Sequence, residues 1–163
     1  MGASLALRLG SGGRRGHGRG RAHLLSTLGY LGLLGGAYLG GDLAYRFGVA
    51  VNREAWAEPL AEYTAVLDAA ELEENQPRRV EANGRAILVV RQGSQVYAIS
   101  DVCTHMGGPL SEGTLAEGCV TCPWHGSVFA LGDGRVQAGP ATAPVDAFAV
   151  RLRDGKIEVR GGA

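Results

Sequence analysis

The chain has 163 residues, enough for one domain and an appendage. Its sixteen basic and sixteen acidic side chains cancel, and three cysteines are too few for a disulfide framework. The charge is nevertheless uneven. Met1–Arg53 holds seven Arg and one acid, Asp42, a net of +6, whereas Glu54–Ala163 holds nine basic and fifteen acidic residues, a net of −6. The basic leader suits anionic lipid, and the lack of aromatic interleaving sets nucleic acid aside.

Residues 1–22 form a Gly/Arg-rich leader with little apolar periodicity, which cannot bury a core and is expected to be disordered. Leu24–Gly41 follows, eighteen residues without a formal charge. As a helix it spans roughly 27 Å against a bilayer core of about 30 Å. Gly32, Gly36 and Gly40 repeat as small-x-x-x-small, a spacing that lets helices approach closely in lipid. In water each such glycine weakens a helix by about 1 kcal/mol. The first reading of residues 23–51 is therefore a transmembrane helix. A signal sequence is the second, although no Ala-x-Ala site follows. A buried soluble helix is the third.

Residues 52–62 read as a linker, in a polar stretch that runs on to Asp68 and leads into the first strand. The domain is set at 63–163, and from there the signals are β. Ala86–Val90 is a β-branched run, Gln92–Ser94 a turn, and Gln95–Ile99 a returning strand. Cys119–Thr121 and Val128–Ala130 are short strands, and Asp133-Gly134 is a hairpin turn. Val145–Leu152, the turn Asp154-Gly155 and Lys156–Arg160 close the pattern. Short strands at this spacing predict a mainly β fold, an antiparallel sandwich or barrel, behind one N-terminal hydrophobic helix.

Two motifs carry the chemistry. Cys103-Thr104-His105 and Cys122-Pro123-Trp124-His125 make a Cys-x-His, sixteen-residue gap, Cys-x-x-His pattern. Two thiolates suit a ferric iron in a sulfide cluster, and two neutral imidazoles suit a second iron. The same four side chains also suit tetrahedral zinc, which keeps a non-redox Cys2His2 module as an alternative. Gly107, Gly108 and Gly126 let the backbone turn tightly, and Pro109 and Pro123 stiffen the loops. Trp124 and Phe129 supply apolar bulk to exclude water. Cys119-Val120-Thr121-Cys122 is a Cys-x-x-Cys, but no βαβ pattern supports a redox dithiol, and Cys119 reads as a core strand residue.

The loops Cys103–Leu110 and Cys122–Phe129 closely resemble those of Rieske 2Fe-2S proteins, over roughly Tyr63 to Ala163. The resemblance implies a β base capped by a small cluster-binding lobe. It also implies one cluster per subunit, with Cys103 and Cys122 on one iron and His105 and His125 on the other. Gly107, Gly108, Trp124, Ser127 and Pro140 would line it, Gly139-Pro140-Ala141 being similar to the family's proline loop. The two histidines should face solvent at the tip. Respiratory members carry a disulfide between the loops; here those places hold Gly108 and Trp124, which points to the ferredoxin and oxygenase-type branch. Ser127 keeps a hydroxyl that those members use, whereas Phe129 replaces a tyrosine. One hydroxyl donor instead of two implies a potential in the lower half of a range from roughly −150 to +300 mV, falling at alkaline pH. Gly40–Val49 is similar to the last helix of a membrane domain of unknown function often fused ahead of Rieske modules, with Asp42 in place of its usual His.

The implied function is one-electron transfer, as a carrier or as the redox subunit of a larger oxidoreductase or oxygenase system. The expected partners are a reductase or oxygenase component, plus membrane lipid or other helices. Outside the motifs only His17 and His23 remain, both near the N-terminal end, and residues 63–163 hold no further His for a 2-His-1-carboxylate iron, so a complete terminal oxygenase is not expected. A membrane-tethered respiratory-type subunit is the other reading of the helix. The acidic net charge of 54–163 points to a basic surface on the partner. The chain is expected at a membrane with the domain facing the cytoplasm, although the Arg-rich leader taken alone would place it outside.

Overall fold

A computed structural model describes residues 17–46 and 57–161. The remaining parts of the expected leader, helix and linker lie outside the described residues. The chain divides into two units, one up to Phe47 and one from Gly48 onward. Among the described residues the first holds the helix α1, His17–Tyr45. It therefore begins inside the segment read as leader. Its apolar part, Gly20–Ala44, is 25 residues and includes an 18-residue stretch of mean hydropathy 1.2 with none of that stretch buried. At 1.5 Å per residue that is about 37 Å, more than a bilayer core of about 30 Å.

Among the described residues the second unit holds ten strands: β1 Leu60–Asp68, β2 Arg78–Ala82, β3 Arg85–Gln92, β4 Gln95–Ser100, β5 Thr114–Ala116, β6 Cys119–Thr121, β7 Val128–Ala130, β8 Val136–Ala138, β9 Phe148–Arg153 and β10 Lys156–Gly161. They form three antiparallel sheets in the orders β1-β10-β9, β2-β3-β4 and β5-β6-β7-β8. Two-residue turns at Asn83-Gly84, Glu117-Gly118 and Asp154-Gly155 have positive φ at both positions, the twist that suits a tight hairpin.

Strand β3 explains the architecture. Ile87, Leu88, Val89 and Val90 are all fully buried, so both faces of the strand are covered. Ile87 and Val89 join Leu60, Phe148, Ile157 and Val159 in a base core. Leu88 and Val90 join Leu110, Val120, Phe129 and Leu131 in a second core beneath the loops. The β-branched run thus belongs to a central sheet shared by two cores. The base is closed by Ser100 N–H donating to the Asp146 carbonyl at 2.8 Å and by an Ile99–Ala147 bridge. Buried Arg85 ion-pairs with Asp146 and lies 5.0 Å over the Phe148 ring.

Two readings are corrected. Residues 60–68, placed largely in the linker stretch, form β1, paired with β10 from Leu60–Gly161 to Asp68–Lys156. Their polarity reflects an edge strand with one face in solvent. Arg78–Ala82, to which no strand was assigned, forms β2.

Candidate metal centre

The two ligand motifs sit on turns of the same design. In the first, Cys103 N–H donates to Gly108 O at 2.9 Å and Gly107 N–H donates to Cys103 O at 2.7 Å. In the second, Cys122 N–H donates to Ser127 O at 2.8 Å and Gly126 N–H donates to Cys122 O at 3.1 Å. Gly107 and Gly126 occupy the equivalent corner at φ +83° and +75°, where an L side chain is strained. Each turn therefore offers a Cys at its root and a His farther along.

The turns meet like with like. Cys103 and Cys122 are buried, with thiols close enough to share a hydrogen bond. His105 and His125 bring their rings to 4.9 Å between centroids, edge to face, with His105 half-buried and His125 exposed. Cysteines point inward and histidines outward. Among the described residues, no three His, Cys, Asp or Glu side chains converge closely enough to hold one metal ion. The four donors thus stand as two pairs rather than one tetrahedron. The pairing rests on the ring contact on one side and the thiol contact on the other. It fits a binuclear unit with sulfur on one side and nitrogen on the other.

Burial pushes the Cys103 thiol up, the backbone N–H of His105 draws it back, and neighbouring Cys122 raises it again. A second N–H, from Met106, also meets the Cys103 sulfur. Two amide donors on a buried sulfur are placed to steady a thiolate once a metal has displaced its proton.

The lining residues divide by role. Gly108 is buried against the second turn: a Cβ there would lie 2.9 Å from Cys122 Sγ and 3.1 Å from two Trp124 ring atoms. Trp124 is 56% exposed, so its indole lies over Gly108 with much of its surface in solvent instead of forming a buried shield. Phe129 is fully buried in the core beneath. Ser127 is fully buried, and its Oγ accepts the Ala141 N–H at 2.9 Å, which ties the proline loop to the second turn. Pro140 is exposed and follows a cis peptide. Cys119 is half-buried on β6, and all three cysteines are free.

Two supports escaped the sequence reading. Thr104, buried between Cys103 and His105, donates its hydroxyl to Ala143 O at 2.6 Å and so ties the first turn to the same strap. Asp101, 1% exposed, takes the Leu110 N–H on its backbone oxygen at 2.8 Å and the Ser111 N–H on its carboxylate at 2.6 Å. It closes the first loop at its base. Burial pushes its carboxyl pKa up, while the Ser111 bonds and the Arg79 guanidinium at 3.7 Å pull it down. Neither residue has a spacing signal, because both partners are backbone groups supplied by the fold.

Comparison with known proteins agrees with this geometry. The family model for the Rieske 2Fe-2S domain matches residues 62–149. The ferredoxin subunit of anthranilate 1,2-dioxygenase from Burkholderia cepacia is 35% identical over 103 residues, covering 63% of this chain and 95% of that protein. The ferredoxin of carbazole 1,9a-dioxygenase from Nocardioides aromaticivorans IC177 superposes with a TM-score of 0.59 at 29% identity, over 61% of this chain and 98% of that one. A chain in a complex of reduced oxygenase and oxidized ferredoxin of carbazole 1,9a-dioxygenase gives 0.56 at 35% identity, over 60% and 92%. With the family match, the paired donors and the β architecture in agreement, the chain belongs to the Rieske 2Fe-2S domain family.

Proposed function

We propose that this chain is a ferredoxin-type electron-transfer component of an oxygenase system, with Cys103 and Cys122 holding one iron and His105 and His125 the other. The meeting of Cys with Cys and His with His, on two matched turns, carries this reading. When bound, the cluster supplies a one-electron couple. The protein's part is to fix the donors and grade their access to water. Buried sulfurs keep one side dry, and the exposed His125 brings the other to the surface, where a partner can approach. Gly107, Gly108, Trp124, Ser127 and Pro140 frame the site, and the straps from Thr104 and Ser127 keep the two turns in register. The pairing of ferredoxin with oxygenase in the carbazole 1,9a-dioxygenase complex supports an oxygenase component as the electron acceptor, with a reductase as the donor.

We further propose that α1 anchors the chain in a membrane, on the strength of a 25-residue apolar stretch whose leucines and tyrosines are exposed. The domain is assigned to the cytoplasmic side. The respiratory-type alternative is weakened by the contact of Gly108 with Trp124, since neither can supply a thiol.

The test is anaerobic reconstitution with iron and sulfide, followed by electron spin echo spectroscopy of the reduced protein. Two coupled imidazole nitrogens are expected, with one nitrogen lost in each single His105→Ala or His125→Ala variant. Stoichiometric zinc in protein isolated from iron-replete cells would refute the assignment.

A further inference from the structure

The site is bare of charge. The segments that bring the donors together, 102–110, 122–132 and 136–145, contain no Asp, Glu, Lys or Arg. Charged residues make up 20% of the chain, so about six would be expected in thirty such residues. The charges that adjoin these segments are directed elsewhere. Asp101 is buried under Ser111 and Arg79, and Asp146 pairs with buried Arg85. Asp133 and Arg135 pair with each other at 3.3 Å in the β7–β8 turn. That turn lies at the opposite end of the hairpin from Val128 and Ala138, the pair that adjoins the ligand loop. Glu117 occupies the equivalent turn of β5–β6, three strand residues and about 10 Å from Thr121. Glu112, two residues beyond the first loop, is the exposed charge nearest that loop along the chain. What the tip offers instead is the half-exposed indole of Trp124 beside exposed Pro123 and Pro140.

We infer that the redox partner meets this chain through an uncharged, apolar recess that receives Trp124, and that the net charge of −6 over residues 54–163 does not steer the encounter. This rests on the electron-transfer reading above, and it replaces the basic partner surface that net charge alone suggested. At physiological salt the Debye length is about 8 Å, so charges at the far hairpin turns are largely screened from a partner seated at the tip. Trp124 is suited to anchor such a contact: one side is already fixed over Gly108, so little side-chain entropy is lost on docking.

The test uses the full chain in an uncharged detergent, reconstituted with iron and sulfide, reduced with dithionite and freed of excess reductant. Ferric cytochrome c serves as a basic protein acceptor that takes one electron per event. Its reduction is followed by stopped flow between about 0.02 and 0.5 M NaCl, which shortens the Debye length from about 20 to about 4 Å. Four chains are compared: wild type, Trp124→Glu, which adds a negative charge at the tip, Trp124→Lys, which adds a positive one, and Glu117→Gln, which removes a negative charge from a far turn.

The wild-type rate is expected to change by less than about threefold across the range, and Glu117→Gln to superimpose on it. Trp124→Glu should be faster at low salt by about threefold or more and converge with wild type at high salt. Trp124→Lys should be slower, which guards against misfolding as the cause. A wild-type rate that falls tenfold or more with salt, together with a slowed Glu117→Gln, would mean that net charge steers, and overturns the inference. So would charge variants at Trp124 that match wild type, because the electron would then leave by another surface. A wild-type chain with no reducible chromophore is a different failure, of the parent reading.

Discussion

Gly108→Ala is the most direct probe of how tightly the two turns are fitted. The residue lies outside the positive-φ region, so alanine's backbone conformation is not the obstacle. The obstacle is space. The added methyl would sit 2.9 Å from Cys122 Sγ and 3.1 Å from Trp124 Cγ and Cδ2, inside the 3.5–4.0 Å optimum for non-bonded contact. Trp124 is exposed enough to swing aside. Cys122 is not: it is buried and held through both its N–H and its carbonyl. Overpacking of this kind costs about 1–3 kcal/mol. In a domain of this size each kcal/mol lowers Tm by about 4–8 °C. Melting of the metal-free chain by circular dichroism should therefore show a fall of at least about 4 °C. The displaced sulfur should also surrender iron to a chelator faster, followed by bleaching of the visible bands. Gly108→Ala combined with Trp124→Ala should recover only part of the loss, because relief at the ring leaves the sulfur contact in place. A single variant that melts within about 1 °C of wild type and bleaches at the same rate would refute the fit between the turns.

Thr104→Val keeps the shape of the side chain but leaves the half-buried Ala143 carbonyl without its 2.6 Å donor, a loss of about 1–3 kcal/mol by urea titration. Thr104→Ser should restore most of it, and equal stability of all three chains would count against the strap. Asp101→Ala should cost a similar amount by orphaning the Ser111 N–H, whereas Asp101→Asn, which retains an acceptor, should cost less. Voltammetry should place the potential in the lower half of the Rieske range, below roughly +75 mV, and a value near +300 mV would remove the argument from Ser127 and Phe129. Deleting residues 20–44 should move the chain from a carbonate-resistant membrane pellet to the supernatant, and an unchanged distribution would remove α1 as the anchor.

The donors were legible because their chemistry is local. Each Cys–His pair lies within four residues, and the glycine that turns each loop is written next to it. Most of the hairpins were equally legible, since Gly93 and Asp154-Gly155 state their turns outright. Asn83-Gly84 states one as plainly, and attention to it would have found β2 and the start of β3. Strand β1 was hidden for a different reason. Its stabilisation comes from pairing with β10, nearly a hundred residues later, and its exposed positions read as linker. Thr104 and Asp101 were silent because a hydroxyl or carboxylate acquires its role only when a distant carbonyl or amide is delivered to it.

The division into two cores gives the site its independence. The base core depends on Ile87, Val89 and the paired ends of β1 and β10, whereas the donor turns rest on Leu88, Val90, Leu110, Val120 and Phe129. Because successive residues of β3 serve opposite cores, a change of charge or bulk at the tip is transmitted to the base only through one rigid, doubly covered strand. The turns can therefore carry glycines, exposed prolines and a charge-free surface, each poor for stability in itself, while the base supplies the folding free energy. A consequence follows for mutation: substitutions at Trp124 should alter encounter rates at nearly unchanged Tm, whereas Val89→Ala, deep in the base, should lower Tm with the donor geometry intact.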